Sequence, residues 1–537
     1  MHDAADSSNS PRPPGRSRAT LLGLSAAAVI GIALLATNLS SCSTSQLPAP
    51  APTSTARTPV TDATVKTLCT QCHTYPEPSI LPSSEWRSRI GQMAKFKGYG
   101  SKIRGIVNTE SVIRWYESRA PQSLTRPVLD DQIHPGPPDF QVQEMTVSES
   151  TIDPIVISNV QLVDLLGGDR QGALELIALD MANGLVLMGQ AAPKWAPQMT
   201  VLAQVGHPAR SHLVDLDGDG LNDLLIADLG SFGAIDHNLG KVTWLRQDPP
   251  GSFTPIDLAT GLPRIADVRA ADFDRDGDLD LVVGAFGWRT TGGVLLLEHT
   301  GRTGLPSRPS YTLRQLDQRH GAIHVAPVDL DNDGRLDFVS LIAQEHESVV
   351  AFMGDGRLGF TAKTIFQAPH PCWGSSGIQL VDLDGDGDTD VLMTNGDTMD
   401  DAMLKPDHGV RWLENSGKGF TLHHLARLYG VHRAEVADID NDGDLDIIAC
   451  GFVGQLKGVF RDELLSSLKV PSLLWIEQTA KGTFIPRTLQ AHLCNHPTLT
   501  LGDIDGDGDV DIVLGNNTRS ASRAPVEVWL NSIGDSP

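Results

Sequence analysis

A chain of 537 residues, 40% hydrophobic and 20% charged, has a globular composition and exceeds one ordinary core, so it holds two or more units or one large repeat architecture. Its formal net charge of −24 weighs against nonspecific binding to nucleic acid or an anionic membrane surface, which needs Lys and Arg to neutralise phosphates.

At the N-terminus, Arg12, Arg16 and Arg18 precede the apolar run LLGLSAAAVIGIALLAT, residues 21–37, in the layout of a secretory signal. The chain is expected to be exported, periplasmic or at the cell surface. Leu39-Ser40-Ser41-Cys42 resembles the lipobox of bacterial lipoproteins, and the resemblance implies that Cys42 is lipidated and becomes the mature N-terminus after a signal spanning 1–42. The other reading is an uncleaved anchor helix, since about 17 to 25 apolar residues span a bilayer. Both hold the chain at a membrane. Residues 43–60, STSQLPAPAPTSTARTPV, read as a tether.

Residues 61–124 show no β pattern. TDATVKTLCTQCH reads as a helix capped by Thr61 or Asp62, with Val65, Leu68 and Cys69 on one side; a second helix starts at Asn108 or Thr109 and stops at Pro121. Within the first lies Cys69-Thr-Gln-Cys72-His73. Two thiols one helical turn apart can add to the two haem vinyl groups, leaving the adjacent histidine beneath the iron. A structural zinc site needs four ligands, and no second CxxC or HxxxH accompanies this one. A disulfide or a chance motif is the bland alternative. The segment resembles the mono-haem c-type cytochrome domains attached to bacterial propellers, in which CxxCH is followed by a Pro-rich turn, a Trp and a methionine. The resemblance implies one covalent haem c, held by Cys69 and Cys72 and ligated by His73 and Met93, serving electron transfer. A core role for Met93, with another sixth ligand or none, stays open. Residues 125–139 are a linker.

From about residue 140 one string recurs six times: DLDGDGLND, DFDRDGDLD, DLDNDGRLD, DLDGDGDTD, DIDNDGDLD and DIDGDGDVD. Its positions one, three, five and nine are Asp215, Asp217, Asp219 and Asp223; Asp272, Asp274, Asp276 and Asp280; Asp329, Asp331, Asp333 and Asp337; Asp382, Asp384, Asp386 and Asp390; Asp438, Asp440, Asp442 and Asp446; and Asp503, Asp505, Asp507 and Asp511. Position six is always Gly. Ca²⁺ takes about 6 to 8 oxygen ligands, and alternating carboxylates on a loop turned at Gly converge on one point. Six bound ions would offset half of the charge of −24.

Strands flank every loop, giving four per unit of roughly 50 to 65 residues, the pattern of a propeller blade. A degenerate unit around Asp164 keeps the strands without the carboxylate spacing, and FQVQEMTVS from Phe140 reads as an orphan strand completing the last unit, which stops at VEVWLNS. The expectation is an all-β seven-bladed propeller over 140–537, behind a small all-α domain over 61–124. These repeats resemble the FG-GAP or VCBS repeats of bacterial surface proteins and the integrin α-subunit head, which implies the propeller and its calcium but leaves function open, because a propeller is a scaffold.

Between the second and third strands of blade five lies the largest polar insertion, with Asp397, Asp400, Asp401, Lys405 and His408; His324, His432, Arg433 and His496 precede calcium motifs on the same face. Such a cluster serves sugar binding, acid/base chemistry or a second metal, or is simply solvated. The blade-five segment resembles the propeller of aldos-2-ulose dehydratase-type carbohydrate enzymes, which implies sugar elimination without assigning a residue. Of Cys372, Cys450 and Cys494, the last two are expected to pair. The leading expectation is a lipid-anchored, monomeric electron-transfer protein whose propeller docks a redox partner, polymer or substrate. A carbohydrate lyase, dehydratase or dehydrogenase and a calcium-rigidified adhesion module are the alternatives.

Overall fold

The computed structural model describes residues 60–95, 107–125, 134–136, 140–147, 154–167, 174–303, 308–518 and 524–533. The leader, Cys42 and the tether up to residue 59 lie outside them, and among the described residues no helix is long and apolar enough to cross a membrane.

Seven four-stranded antiparallel sheets follow one another along the chain. Blades one to six span 157–204, 208–262, 265–317, 322–367, 375–427 and 431–491. Blade seven takes three strands from the C-terminal end, Thr498–Gly502, Asp511–Gly515 and Val526–Asn531, and its fourth from Phe140–Val147. That early strand pairs with the late one from Phe140↔Asn531 to Met145↔Val526, then continues into a parallel pairing with blade one at Thr146↔Gln198. Inner strands touch their neighbours all the way round, blade seven against blade one included. The β-propeller-like ring is therefore closed by the meeting of an early and a late strand.

The reason these runs fold so is visible in their burial. Every second strand, such as Asp223–Asp228 and Asp390–Asn395, is buried at each position, which suits a strand covered on both sheet faces by adjoining blades. Apolar clusters accordingly straddle blade boundaries: Leu225, Trp244 and Val242 of blade two pack with Val268, Leu281 and Leu295 of blade three. Each such side chain contributes about 1.5–3 kcal/mol on burial. Fourth strands form the rim and expose alternate or successive positions, as in Phe360–Gln367.

The six Asp-rich loops join first to second strands, so all six lie on one face, and the second-to-third and fourth-to-first connections lie on the other. On that other face sits the helical segment: α1 (Asp62–Cys69), α2 (Ser83–Met93) and α3 (Thr109–Glu117), with a 3₁₀ turn at Pro78–Ile80. Thr61 caps α1, its Oγ1 accepting from Thr64 N at 3.2 Å, and Asn108 caps α3, accepting from Glu110 N at 2.9 Å. The α2 helix was not expected from the sequence; its Trp86 stacks on Tyr116 with ring centroids 4.0 Å apart and donates to the Pro78 carbonyl at 3.1 Å. A fourth short helix, α4 (Arg461–Ser467), interrupts blade six.

Residues 57–537 form one compact unit, so the helices and the ring are joined rather than beads on a string. Lys457 Nζ meets Glu85 Oε1 at 2.7 Å, Arg89 Nη2 donates to the Asp400 carbonyl at 2.9 Å, and Gln367 Nε2 donates to Thr74 Oγ1 at 3.2 Å. Cys372 and Met403 pack against the helical core. The expected Cys450–Cys494 disulfide is absent: both thiols are free, Cys450 lying in the apolar cluster between blades six and seven and Cys494 donating to the Pro471 carbonyl at 3.4 Å.

Met145 on the closing strand is fully buried. Met145→Ala is expected to lower the unfolding free energy by about 2–5 kcal/mol, measured by denaturant titration; a change under 1 kcal/mol would mean that this strand does not close the ring.

Candidate functional site

Each calcium loop is turned by two left-handed residues. Position six is the expected Gly, from φ +85° at Gly334 to +99° at Gly508. Position four, which the motif reading passed over, is also left-handed in all six: Gly218, Arg275, Asn332, Gly385, Asn441 and Gly506. The preference for Gly and Asn there was a readable signal. Position one then folds back over the loop, Asp215 Oδ2 accepting from Gly220 N at 2.9 Å and Asp438 Oδ2 from Gly443 N at 3.0 Å.

Position nine opens the second strand and does a different job from the other three. Its Oδ1 accepts from a third-strand amide at 2.7–2.8 Å, from Gln247 to Asp223 and from Asn531 to Asp511. In five of the six loops its Oδ2 accepts from the position-two amide, as in Leu216 N to Asp223 at 3.1 Å. In the degenerate first blade Glu175 substitutes, its Oε2 accepting from Leu165 N and Leu166 N.

The donor set suits calcium. In the loops at 215–223, 272–280, 329–337 and 382–390, three carboxylates place an oxygen within 4.8 Å of one another. Position three supplies buried oxygens with no hydrogen-bond partner, Oδ1 of Asp217, Asp440 and Asp505. Burial and then the neighbouring Asp442 hold the Asp440 carboxyl above its ordinary range, the signature of crowded carboxylates that a cation would relieve. One loop departs from the rest: Arg246 from the third strand of blade two reaches Asp217 at 2.7 Å and Asp219 at 3.1 Å, so a guanidinium already pairs two of its four carboxylates.

Of the blade-five residues, Asp397, Asp401 and Lys405 come together. Lys405 Nζ lies 2.7 Å from Asp401 Oδ2, both side chains at most 4% exposed, and 3.4 Å from the Asp397 carbonyl. Burial pulls the Lys405 ammonium down, yet Asp401 holds it above its usual value; burial raises the Asp397 carboxyl. The Asp400 backbone anchors Arg89 of α2. His408 lies deeper, its Nδ1 accepting from Gly430 N at 3.4 Å and its Nε2 without a partner; burial holds both His408 and His432 below the usual imidazole range. Arg433 is not among them. It pairs instead with Glu435 at 2.8 Å and donates to the Ile378 carbonyl at 3.1 Å. His496 is held between Asn516 and Gln490 at 2.6 and 2.7 Å.

Arg433 belongs to a set that the motif reading passed over. The residue five positions before each motif's first Asp stands on the inner strand: Arg210, Asp267, His324 and Arg433 in blades two, three, four and six. His324 contacts Asp267 at 3.6 Å, and Arg269, two residues further on, contacts Asp267 at 3.2 Å. Burial first, and then the like charge of Arg433, hold the Arg210 guanidinium down to about 9.

In the CxxCH segment, Cys69 packs into the helical core and its Sγ accepts from Tyr116 Oη at 3.5 Å, whereas Cys72 is exposed; both thiols are free. His73 Nδ1 lies 2.7 Å from the Thr74 carbonyl, which makes Nδ1 the protonated nitrogen and leaves Nε2 with its lone pair in the neutral imidazole. Met93 is the half-buried last residue of α2.

Residues 215–283, 329–393 and 394–449 match the family described as FG-GAP-like repeat. The chain thus carries FG-GAP repeats in a β-propeller-like fold. A search of curated proteins finds no match. Among solved structures, the Vibrio cholerae biofilm matrix protein Bap1 aligns at 12% identity and TM-score 0.36, covering 74% of this chain and 92% of that one. An α-L-arabinanase of Penicillium chrysogenum complexed with arabinobiose aligns at 10% identity and TM-score 0.39, covering 74% and 99%. The N-terminal domain of Nup159 aligns at 9% and 0.38, covering 74% and 97%. Likenesses this distant carry nothing about ligand or activity.

Two outcomes are expected of the loops. Without calcium, burial pushes Asp223, Asp280 and Asp446 up to about 6 and Asp511 up to about 7. Each then binds more protons folded than unfolded, so the calcium-free chain loses stability as pH rises from about 4 to about 7, and saturating Ca²⁺ removes that loss. Thermal unfolding across this window, with and without calcium, checks both; a calcium-free Tm rising with pH there contradicts them. Separately, Arg246→Ala should tighten calcium binding at the first loop about tenfold, roughly 1.4 kcal/mol, read by calorimetry.

Proposed function

We propose that this chain is an exported, membrane-anchored electron-transfer protein in which a calcium-loaded propeller carries a c-type haem segment on the face opposite its calcium loops. The observation that carries the reading is the state of the motif: two free thiols, Cys69 closing α1 and Cys72 in the turn that follows it, beside a histidine whose Nδ1–H is engaged by a carbonyl, leaving Nε2 to ligate. Cys69 and Cys72 would hold the group, His73 would ligate it, and Met93 is the candidate sixth ligand. Haem, when bound, supplies an iron cycling between Fe(II) and Fe(III). The chain's own part is support: Glu85–Lys457, Arg89 on Asp400 and Thr74 on Gln367 fix the segment to the ring, and the buried Asp401–Lys405 pair stiffens the loop beneath it. Burial and an ion pair favour a docking platform for these blade-five residues over an open catalytic mouth. An oxidised and reduced optical spectrum of the exported protein tests the proposal: a covalent c-type spectrum is expected, and lost in the Cys69→Ser/Cys72→Ser double variant. A folded, exported chain without haem overturns it.

A second reading, that the ring itself binds an acidic sugar or polymer, is favoured by Arg210, whose guanidinium has no hydrogen-bond or ion-pair partner among the described residues. Uronate-containing glycans should bind the parent and lose about tenfold in affinity with Arg210→Ala; equal binding by both removes this reading.

A further inference from the structure

Blade four carries a cluster that neither the calcium motifs nor the CxxCH motif absorbs. His320 lies on the connection entering the blade, and Glu345 and His346 on the connection between its second and third strands, so all three stand on the face where the helical segment sits. His320 Nε2 is 2.9 Å from Glu345 Oε2, the His320 and His346 rings have centroids 5.1 Å apart, and one donor atom from each of the three residues lies within 4.8 Å of the others.

The surroundings hold these donors in place. Gln344 and Glu347, flanking the pair, both adopt left-handed backbone conformations, φ +56° and +40°, which is costly for residues with a Cβ. The turn is pinned from both sides. The buried Glu347 carboxylate accepts from Gly374 N at 2.8 Å and Ser375 N at 2.9 Å, and Gln367 Nε2 donates to the His346 carbonyl at 2.8 Å. Opposite, a Cβ on Gly292 would stand 2.8 Å from His320 Cβ, so glycine there permits the close approach that seats His320. The nearby cation does not compete: Arg319 is tied to Asp317 at 2.7 Å. The His320 and Glu345 side chains remain 14% and 37% exposed, which leaves a route in for an ion and its water.

We infer that His320, Glu345 and His346 form a binding site for a first-row divalent transition ion. Two imidazoles and one carboxylate are a borderline-soft donor set that selects zinc or iron(II) over calcium, which takes oxygen alone. Three protein ligands leave coordination positions open to water or substrate, unlike a closed structural site. The site also adjoins the CxxCH motif through one side chain, since Gln367, which holds the His346 carbonyl, also donates to Thr74, the residue after His73.

The test uses the full chain, stripped with a chelator, with calcium restored in excess to fill the Asp loops, and then titrated with Co²⁺. One equivalent should bind, give d–d absorption and be displaced by Zn²⁺. His346→Ala should weaken this binding at least tenfold, and so should His320→Gln, whose amide can keep the hydrogen bond to Glu345 and so separates loss of a ligand from loss of the fold. The calcium-dependent Tm of each variant confirms folding. Absence of a cobalt band overturns the site and reduces the cluster to a His–Glu hydrogen bond. So does a band that persists in both histidine variants, or one abolished instead by Cys69→Ser/Cys72→Ser.

Discussion

The ring depends on one buried carboxylate per repeat. At position nine of each motif the acid ends the loop, begins the second strand and accepts from the amide of a third-strand residue, so one side chain fastens two strands and closes the loop where the other carboxylates gather. A buried carboxylate is stable only when its oxygens are satisfied. Strand pairing and ion binding are thereby coupled: a cation that draws positions one, three and five together acts on the residue that holds the sheet. Glu175 makes the loop-closing half of these contacts in blade one, where the other carboxylates are gone. That blade keeps the mechanical part of the motif without the ion-binding part.

Periodic features were legible in the chain. The repeated Asp spacing marked the first-to-second connections, and the unfinished last unit matched the orphan at Phe140, because blades repeat one packing problem and repetition makes it visible. What escaped notice was set by partners distant in sequence. Arg246 entering the first loop, His324 meeting Asp267, and His320 meeting Glu345 each join different strands or blades. The α2 helix was missed because its pattern is weakly amphipathic and lacks a side-chain cap; it is stabilised mainly through Trp86 against Tyr116. His432 and Arg433 looked like neighbours in one site, yet Arg433 is taken up by Glu435 on its own strand.

The two faces divide the labour. One carries acidic loops whose chemistry is repetitive. The other carries irregular connections, the blade-five insertion, the His–Glu–His cluster and the helical seat, so whatever distinguishes this chain from a generic ring is gathered there, where loops vary without disturbing the strands that bear them.

The closing strand imposes an order on synthesis. Phe140–Val147 is made before any other strand of blade seven, and its partner Val526–Asn531 comes last. Until then the early strand has only its short parallel pairing with blade one at Thr146↔Gln198, and blade one lacks its neighbour. Blades can pair their own strands as they emerge, whereas closure waits for the final segment. A chain cut short by even one blade would keep both ends as open edges ready to pair with another molecule. Completeness of the polypeptide is thus read out mechanically, by whether its two ends can meet.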